Sequence, residues 1–289
     1  MKRYYSFCVI TFFLWGSIYV FSKFAFQVFS PLTVLFLRNL VAIIPVGLAA
    51  RRRGLRRVRR EHIKYFLICG VVGHGVSTGL VLMANDLLSA AAASLINAAN
   101  PVFIILFAVL LLGEKMTVRR GVGVACALLG VVAVVGLQMD GLSPLGLLFS
   151  ILGVIFWSLS SVVTRKIAQF YPPEQVTLIC LAISLPVSLA GSLVQTGGVL
   201  PAVTLSAVLS VLYIGVFGIA LANLLWNRCL SVMDASVCSM FYPLQPVCSA
   251  LLGILLLGEP VTLNFLLGGA LICAGVVIGV GTGKKKRPA

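Results

Sequence analysis

Residues 106–117 and 251–262 are two copies of one stretch. Leu110-Leu111-Leu112-Gly113-Glu114 and Thr117 recur 145 positions later as Leu255-Leu256-Leu257-Gly258-Glu259 and Thr262. The register holds on both sides. Gly70, Gly73 and Pro101 return as Gly215, Gly218 and Pro246, and Gly123 and Gly130 return as Gly268 and Gly275. Near the start of each half the shift is 142, so that Trp15, Lys23 and Pro31 answer to Trp157, Arg165 and Pro173. The period is too long for a solenoid. The chain reads as a duplication, with units at residues 1–139 and 140–289.

Composition decides what solvent the duplicated unit is built for. The chain is 60% apolar and only 10% charged, with a mean hydropathy of +1.12. Long apolar runs at that density are membrane spans. Hydrocarbon leaves no backbone polar group a water partner, so the runs must be helical. A span takes about 20 residues, and ten fit, at roughly 5–27, 32–50, 64–82, 89–112, 118–137, 144–164, 175–194, 203–224, 234–257 and 262–281. The expected fold is an all-α membrane protein of ten transmembrane helices. Residues 1–27 run into the duplicated unit without a cleavage signal, so the first span is expected to be retained.

A net charge of +15 would be read as nucleic-acid binding if it formed a surface patch. Its placement argues for topology instead. Arg51, Arg52, Arg53, Arg56, Arg57, Arg59 and Arg60 lie between spans two and three. Lys115, Arg119 and Arg120 lie between four and five, and Lys284, Lys285, Lys286 and Arg287 follow span ten. All fall on one side, and the intervening loops are nearly free of Lys and Arg. That is the positive-inside pattern with both termini in the cytoplasm, and attraction to anionic lipid heads accounts for the basic loop. No nucleic-acid partner is expected. The expected location is the inner (plasma) membrane of a bacterium.

Five spans per unit is an odd number, so the second unit is threaded upside down relative to the first. Inverted repeats of this kind build secondary transporters, with the substrate site near the midplane between the halves.

At these residues the chain resembles the ten-helix EamA-type branch of the drug/metabolite transporter superfamily. The resemblance rests on Trp15, Pro31, Arg38, Pro101 and Gly113-Glu114 with Thr117. In the second half it rests on Trp157, Pro173, Pro246 and Gly258-Glu259 with Thr262. The second half departs from it by placing Cys180 opposite Arg38. The resemblance covers the whole chain and implies a transporter of small molecules, with export of a metabolite such as an amino acid as the first expectation. Import and flipping of a lipid-linked substrate are the alternatives within transport. A lipid-modifying membrane enzyme would need acid/base groups on one face, and the seven acids here are spread over loops and ends.

The candidate binding residues lie at membrane depth. Trp15 and Trp157 are mid-span, whereas interfacial tryptophans belong at the ends. Arg38 sits about 10 Å below the outer surface at 1.5 Å per residue, where an unpaired cation costs at least about 2.5 kcal/mol. His74, in a glycine-rich stretch of span three, is the one intramembrane group that titrates near neutrality. It is a candidate proton relay, with a plain hydrogen-bonding role as the competing reading. Asn97 and Asn100 share a helix face three residues apart beside Pro101, which is expected to kink span four. Tyr242 and Gln245 repeat the pattern beside Pro246, and Asn223 is a further polar residue of span eight. Trp15, Arg38, His74, Asn97, Asn100, Trp157, Asn223, Tyr242 and Gln245 are therefore the expected substrate site.

Other features read as structure. Lys23 is expected to snorkel to the outer interface, and Glu114 with Thr117 to form a helical hairpin. Gly275 and Gly279 have the spacing of a close helix crossing or a homodimer contact. The eight cysteines show no C-x-x-C and no zinc spacing, and there is no phosphate-binding loop. No metal, cofactor or catalytic residue is expected.

Overall fold

The computed structural model describes residues 2–88, 90–135, 143–198, 203–257 and 263–280. Every element among them is a helix: α1 Lys2–Phe26, α2 Pro31–Arg53, α3 Arg60–Leu87, α4 Ala90–Asn97, α5 Asn100–Leu112, α6 Val118–Val135, α7 Pro144–Ile167, α8 Pro173–Thr196, α9 Leu205–Val232, α10 Ala235–Ser239, α11 Leu244–Leu257 and α12 Leu263–Val280. Seven helical stretches are long and apolar enough to cross a membrane, namely Arg3–Phe26, Pro31–Arg53, Arg60–Leu87, Pro144–Ile167, Pro173–Thr196, Leu205–Val232 and Ala235–Leu256. Proline at the first turn starts α2, α7 and α8. Ser30 and Ser143 accept from the backbone N–H three residues on in α2 and α7, and Thr204 does the same for α9. The second copy of the hairpin motif, Gly258, Glu259 and Thr262, lies outside the described residues, as do Lys284 to Arg287.

Two expected continuous spans are interrupted. Span four stops at Asn97 and restarts at Asn100, and span nine stops at Ser239 and restarts at Leu244. Pro101 takes the second position of α5, where its missing N–H costs nothing. The chain therefore breaks before the proline and does not kink through it. Spans three and eight also depart from regular helix, at corresponding places: Ile68–Ser77 and Ile214–Leu221 are π-helical, a geometry that widens the helix and occurs most often at functional sites.

Contacts in one half reappear in the other with the partners exchanged. Where α3 packs on α7 and α8, α9 packs on α1 and α2. Where α5 packs on α7, α11 packs on α1. The pairs α2 with α8 and α6 with α12 are their own counterparts. The match extends to single atoms. A Cβ at Gly70 would lie 3.1 Å from Cys180 O, and one at Gly215 would lie 3.0 Å from Arg38 O. A Cβ at Gly130 would lie 2.7 Å from both Gly268 O and Ile272 N, and one at Gly275 would lie 2.7 Å from Gly123 O and 2.6 Å from Ala127 N. These are backbone-to-backbone approaches that a side chain would prevent. Gly275, whose spacing suggested a close helix crossing or a homodimer contact, sits at a close crossing with α6 of its own chain.

Candidate functional site

An aromatic cluster lies in the interior. Phe12 and Trp15 of α1 meet Trp226 of α9 and Tyr242 of the α10–α11 turn, with ring centroids 4.5 Å apart for Phe12–Tyr242, 5.5 Å for Trp15–Trp226 and 5.9 Å for Trp226–Tyr242. Trp157 joins from α7, edge-on to Trp15 at 5.6 Å, an arrangement that aromatic quadrupoles favour. Its indole N–H donates to the Tyr242 hydroxyl. Trp15 and Trp157 occupy the same position in their two units and touch each other. The cluster closes the interior toward the end of the bundle where α1 begins.

On the other side of this floor lies a cavity of about 90 Å³. Trp15, Arg38, His74 and Asn97 of the first half line it, with Trp157, Asn223, Tyr242 and Gln245 of the second. Eight of the nine residues named from the sequence thus converge on one space between the halves. The volume admits a few waters. A small-molecule site takes about 300 Å³ or more, so the helices must part before the cavity can hold a metabolite.

Asn100 is the exception. It is fully buried, donates to Asn97 O at 2.7 Å and Asn97 Oδ1 at 3.3 Å, and accepts from the Ser158 hydroxyl at 2.9 Å. It does not line this cavity. The sequence argument set both amides into one cavity; here the Asn100 amide is spent on Asn97 and Ser158. In the second half the position facing Gln245 is Gly16, with no side chain to offer, and Gln245 Oε1 has no partner. The same fold position therefore holds a sealed amide in one half and an open one in the other.

Three more cavity groups carry unmet polar atoms. Arg38 is 4% exposed and has no hydrogen bond or ion pair among the described residues; its Nε is buried without a partner. His74 Nδ1 lies 3.1 Å from Cys69 O five residues back in the π-helical stretch, so Nδ1 carries the proton and Nε2 is left bare. Asn85 donates to Tyr19 O at 3.4 Å and leaves Oδ1 unpaired. Buried polar atoms are nearly always paired, so this concentration marks a place that receives something. Tyr19, Asn39, Ser77, Thr78 and Asn85 also line the cavity and escaped the sequence reading. One of them was legible: Thr78 holds the repeat position of Asn223. No three His, Cys, Asp or Glu side chains gather as metal ligands among the described residues.

Both ends of the cavity have charged fittings. At the end where α1 begins, the Glu114 carboxylate accepts from the N–H of Ala235 at 2.9 Å, the N–H of Ser236 at 3.2 Å and the Ser236 hydroxyl at 2.5 Å. Arg120 pairs with Asp234 at 3.1 Å beside it. Thr117 accepts from Arg120 N–H and caps α6 as expected. Glu114, however, serves α10 of the other half and not the helix that follows it. A carboxylate suits that place because a helix N-terminus offers free N–H groups and positive potential. At the opposite end the Lys23 ammonium donates to Asn85 O at 2.5 Å and Leu88 O at 2.9 Å, capping the C-terminus of α3 where the sequence suggested a snorkelling side chain. Arg165, its repeat mate, donates to Leu230 O at 2.6 Å, the residue that matches Asn85.

Comparison with known proteins follows the same division of the chain. The EamA-like transporter family matches residues 2–136 and again 144–280. An uncharacterized transporter of Clostridium kluyveri is 24% identical over 99% of this chain and 95% of its own length. A probable amino-acid metabolite efflux pump of Salmonella typhimurium is 24% identical over 92% of this chain and 91% of its own. A solved crystal structure superposes with a TM-score of 0.81 at 22% identity, covering 96% of this chain and 98% of that one, which makes the fold the shared property. With two family matches spanning nearly all of a chain of apolar helices, the protein is a multi-pass membrane protein of the EamA-like transporter family, within the drug/metabolite transporter superfamily.

Proposed function

We propose that the protein is a secondary transporter that moves a small metabolite, such as an amino acid, out of the cell. On this reading two inverted five-helix repeats, residues 1–139 and 140–289, form ten spans and expose the central cavity alternately to either side. The observation that carries it is the cavity itself: aromatic and amide groups from both halves line one space, with Arg38, His74, Asn85 and Gln245 each holding an unmet polar atom. The exchanged contacts of the two halves support an axis in the membrane plane, which is the architecture of alternating access. The outward direction is taken from the relative named as an efflux pump.

The test is flux in liposomes loaded with a metabolite panel, with and without a pH gradient. Asn97→Ala and Gln245→Ala are expected to stay monodisperse and to raise the apparent KM of the carried compound by about fivefold or more, the loss of roughly one hydrogen bond. Asn100→Ala is expected to lower thermal stability and leave KM near the parent value. Parent kinetics in both cavity variants would put the substrate path elsewhere.

The topology is an expectation of its own. Both termini are taken as cytoplasmic in the inner membrane, with the basic segment at 51–59 inside and position 259 outside. Cysteines placed singly at Leu55 and Glu259 in a cysteine-free background should react differently with an impermeant maleimide on intact cells, position 259 labelling and position 55 not. Equal external labelling would remove the inverted arrangement.

A further inference from the structure

We propose that the cavity selects an organic monocarboxylate with a flat apolar body, held through its carboxylate by Arg38. The proposal rests on the transport reading for the site but not for the direction of flux, and it narrows the cargo from a metabolite such as an amino acid to an acid without the α-ammonium group.

The charge count is one-sided. Arg38 is a positively charged guanidinium, it is buried, and no carboxylate among the described residues lines the cavity beside it. Five of the chain's seven acids are described, and none lines the cavity. Glu61 pairs with Arg59, Glu114 holds α10, Glu174 pairs with Arg228 and Asp234 with Arg120. Asp86 is exposed. Asp140 and Glu259 lie outside the described residues. His74, donating to Cys69 O, is neutral or adds positive charge, and in neither form does it balance Arg38.

A buried cation without a counter-charge costs several kcal/mol, which a ligand bringing one negative charge removes. A carboxylate matches the guanidinium fork with two parallel hydrogen bonds. A phosphomonoester brings about two charges to one guanidinium. A zwitterion leaves the site's charge where it was, and an organic cation doubles it. The rest of the wall fixes the other end of the ligand: Trp15, Trp157 and Tyr242 present ring surface, with Ile18 and Ile219 beside them.

The protein supplies its own reporter. Its three tryptophans are Trp15 and Trp157, which line the cavity, and Trp226, tilted against Trp15 with ring centroids 5.5 Å apart. Intrinsic fluorescence of the purified parent protein is titrated with four compounds of nearly one shape: 3-phenylpropionate, 3-phenylpropanamide, phenylalanine and phenethylamine. The expected result is saturable quenching by 3-phenylpropionate, at least about tenfold tighter than by the amide or the zwitterion, and none by the amine. Arg38→Gln is expected to bring acid and amide within about twofold, and Arg38→Lys to retain part of the preference. The proposal is overturned if the zwitterion, amide or amine binds as tightly as the acid. It is also overturned if 3-phenylpropionate does not quench up to about 10 mM, or if a folded Arg38→Gln protein keeps the preference. Because the ligand series uses the parent protein, a variant that fails to fold does not remove the test. Binding of the acid without flux of any compound would refute the transport reading and leave this one standing. Flux of a cation without binding of the acid would do the reverse.

Discussion

Leucine at Gly130 is expected to leave almost no monodisperse protein. Gly130 lies where α6 crosses α12, and even a Cβ there would sit 2.7 Å from Gly268 O and from Ile272 N. Both are backbone atoms of a packed helix, so no flexible side chain is available to move aside. The helices must separate, which forfeits dispersion contacts along the crossing. Overpacking of this sort costs about 1–3 kcal/mol in cores that can adjust, and more where the obstacle is backbone. Gly275→Leu should fail in the same way, since its Cβ would meet Gly123 O and Ala127 N. Gly269→Leu, six residues from Gly275 on the same helix, meets nothing within 4 Å and should express like the parent. Size-exclusion profile and melting temperature decide it, with a fall of roughly 5–10 °C or complete loss for the two crossing variants. Three equal profiles would mean that α6 and α12 do not cross at these glycines.

Removing the Glu114 carboxylate is expected to open the end of the bundle where α1 begins, which is cytoplasmic on the proposed topology. Three hydrogen bonds from Ala235 and Ser236 converge on that one side chain. They join the end of α5 in one half to the start of α10 in the other. Bonds to a charged acceptor contribute about 1.5–3 kcal/mol, so Glu114→Ala should shift the closed-to-open ratio by about 10- to 150-fold. Cys238 is fully buried behind this junction. In a variant that keeps Cys238 as its one cysteine, a small thiol reagent should label it at least about tenfold faster once Glu114 is alanine. Glu61→Ala, which removes an exposed carboxylate beside Arg59 and His62 and away from this junction, should leave the rate unchanged. Equal rates in all three proteins would make Glu114 a hairpin residue, as the sequence first suggested.

The repeat was the most legible feature of the sequence, and what it made visible was position, not contact. Trp15 with Trp157, Asn97 with Tyr242 and Asn100 with Gln245 could be paired on paper because two copies of one unit must present matching sites. Where a residue points depends on details that periodicity cannot carry. Asn100 is held by Asn97 and by Ser158 of the other half, a partner no local pattern announces. Lys23 was read by itself as an interfacial cation. Its match to Arg165 carries the shared task, since each donates to the backbone carbonyl of a matching residue, Asn85 or Leu230. The π-helical stretches were hidden for another reason. Glycines in a membrane helix say that something comes close, and not that the turn has widened to let it. Tyr19, Asn39 and Asn85 became cavity residues only once the helices were assembled, because nothing in their local sequence distinguishes them from polar residues that pair within the bundle.

The exchanged contacts have an energetic consequence. If one half opening at one face is the counterpart of the other half opening at the opposite face, the two end states are built from the same interactions and would be equal in free energy in a perfectly repeated chain. Any preference between them must come from positions where the copies differ. Arg38 opposite Cys180, His74 opposite Ile219, and Ser158 opposite Gly16 are such positions. The resting bias of the machine, and the smallest gradient able to turn it, would then be written in the handful of residues by which the two halves are no longer alike.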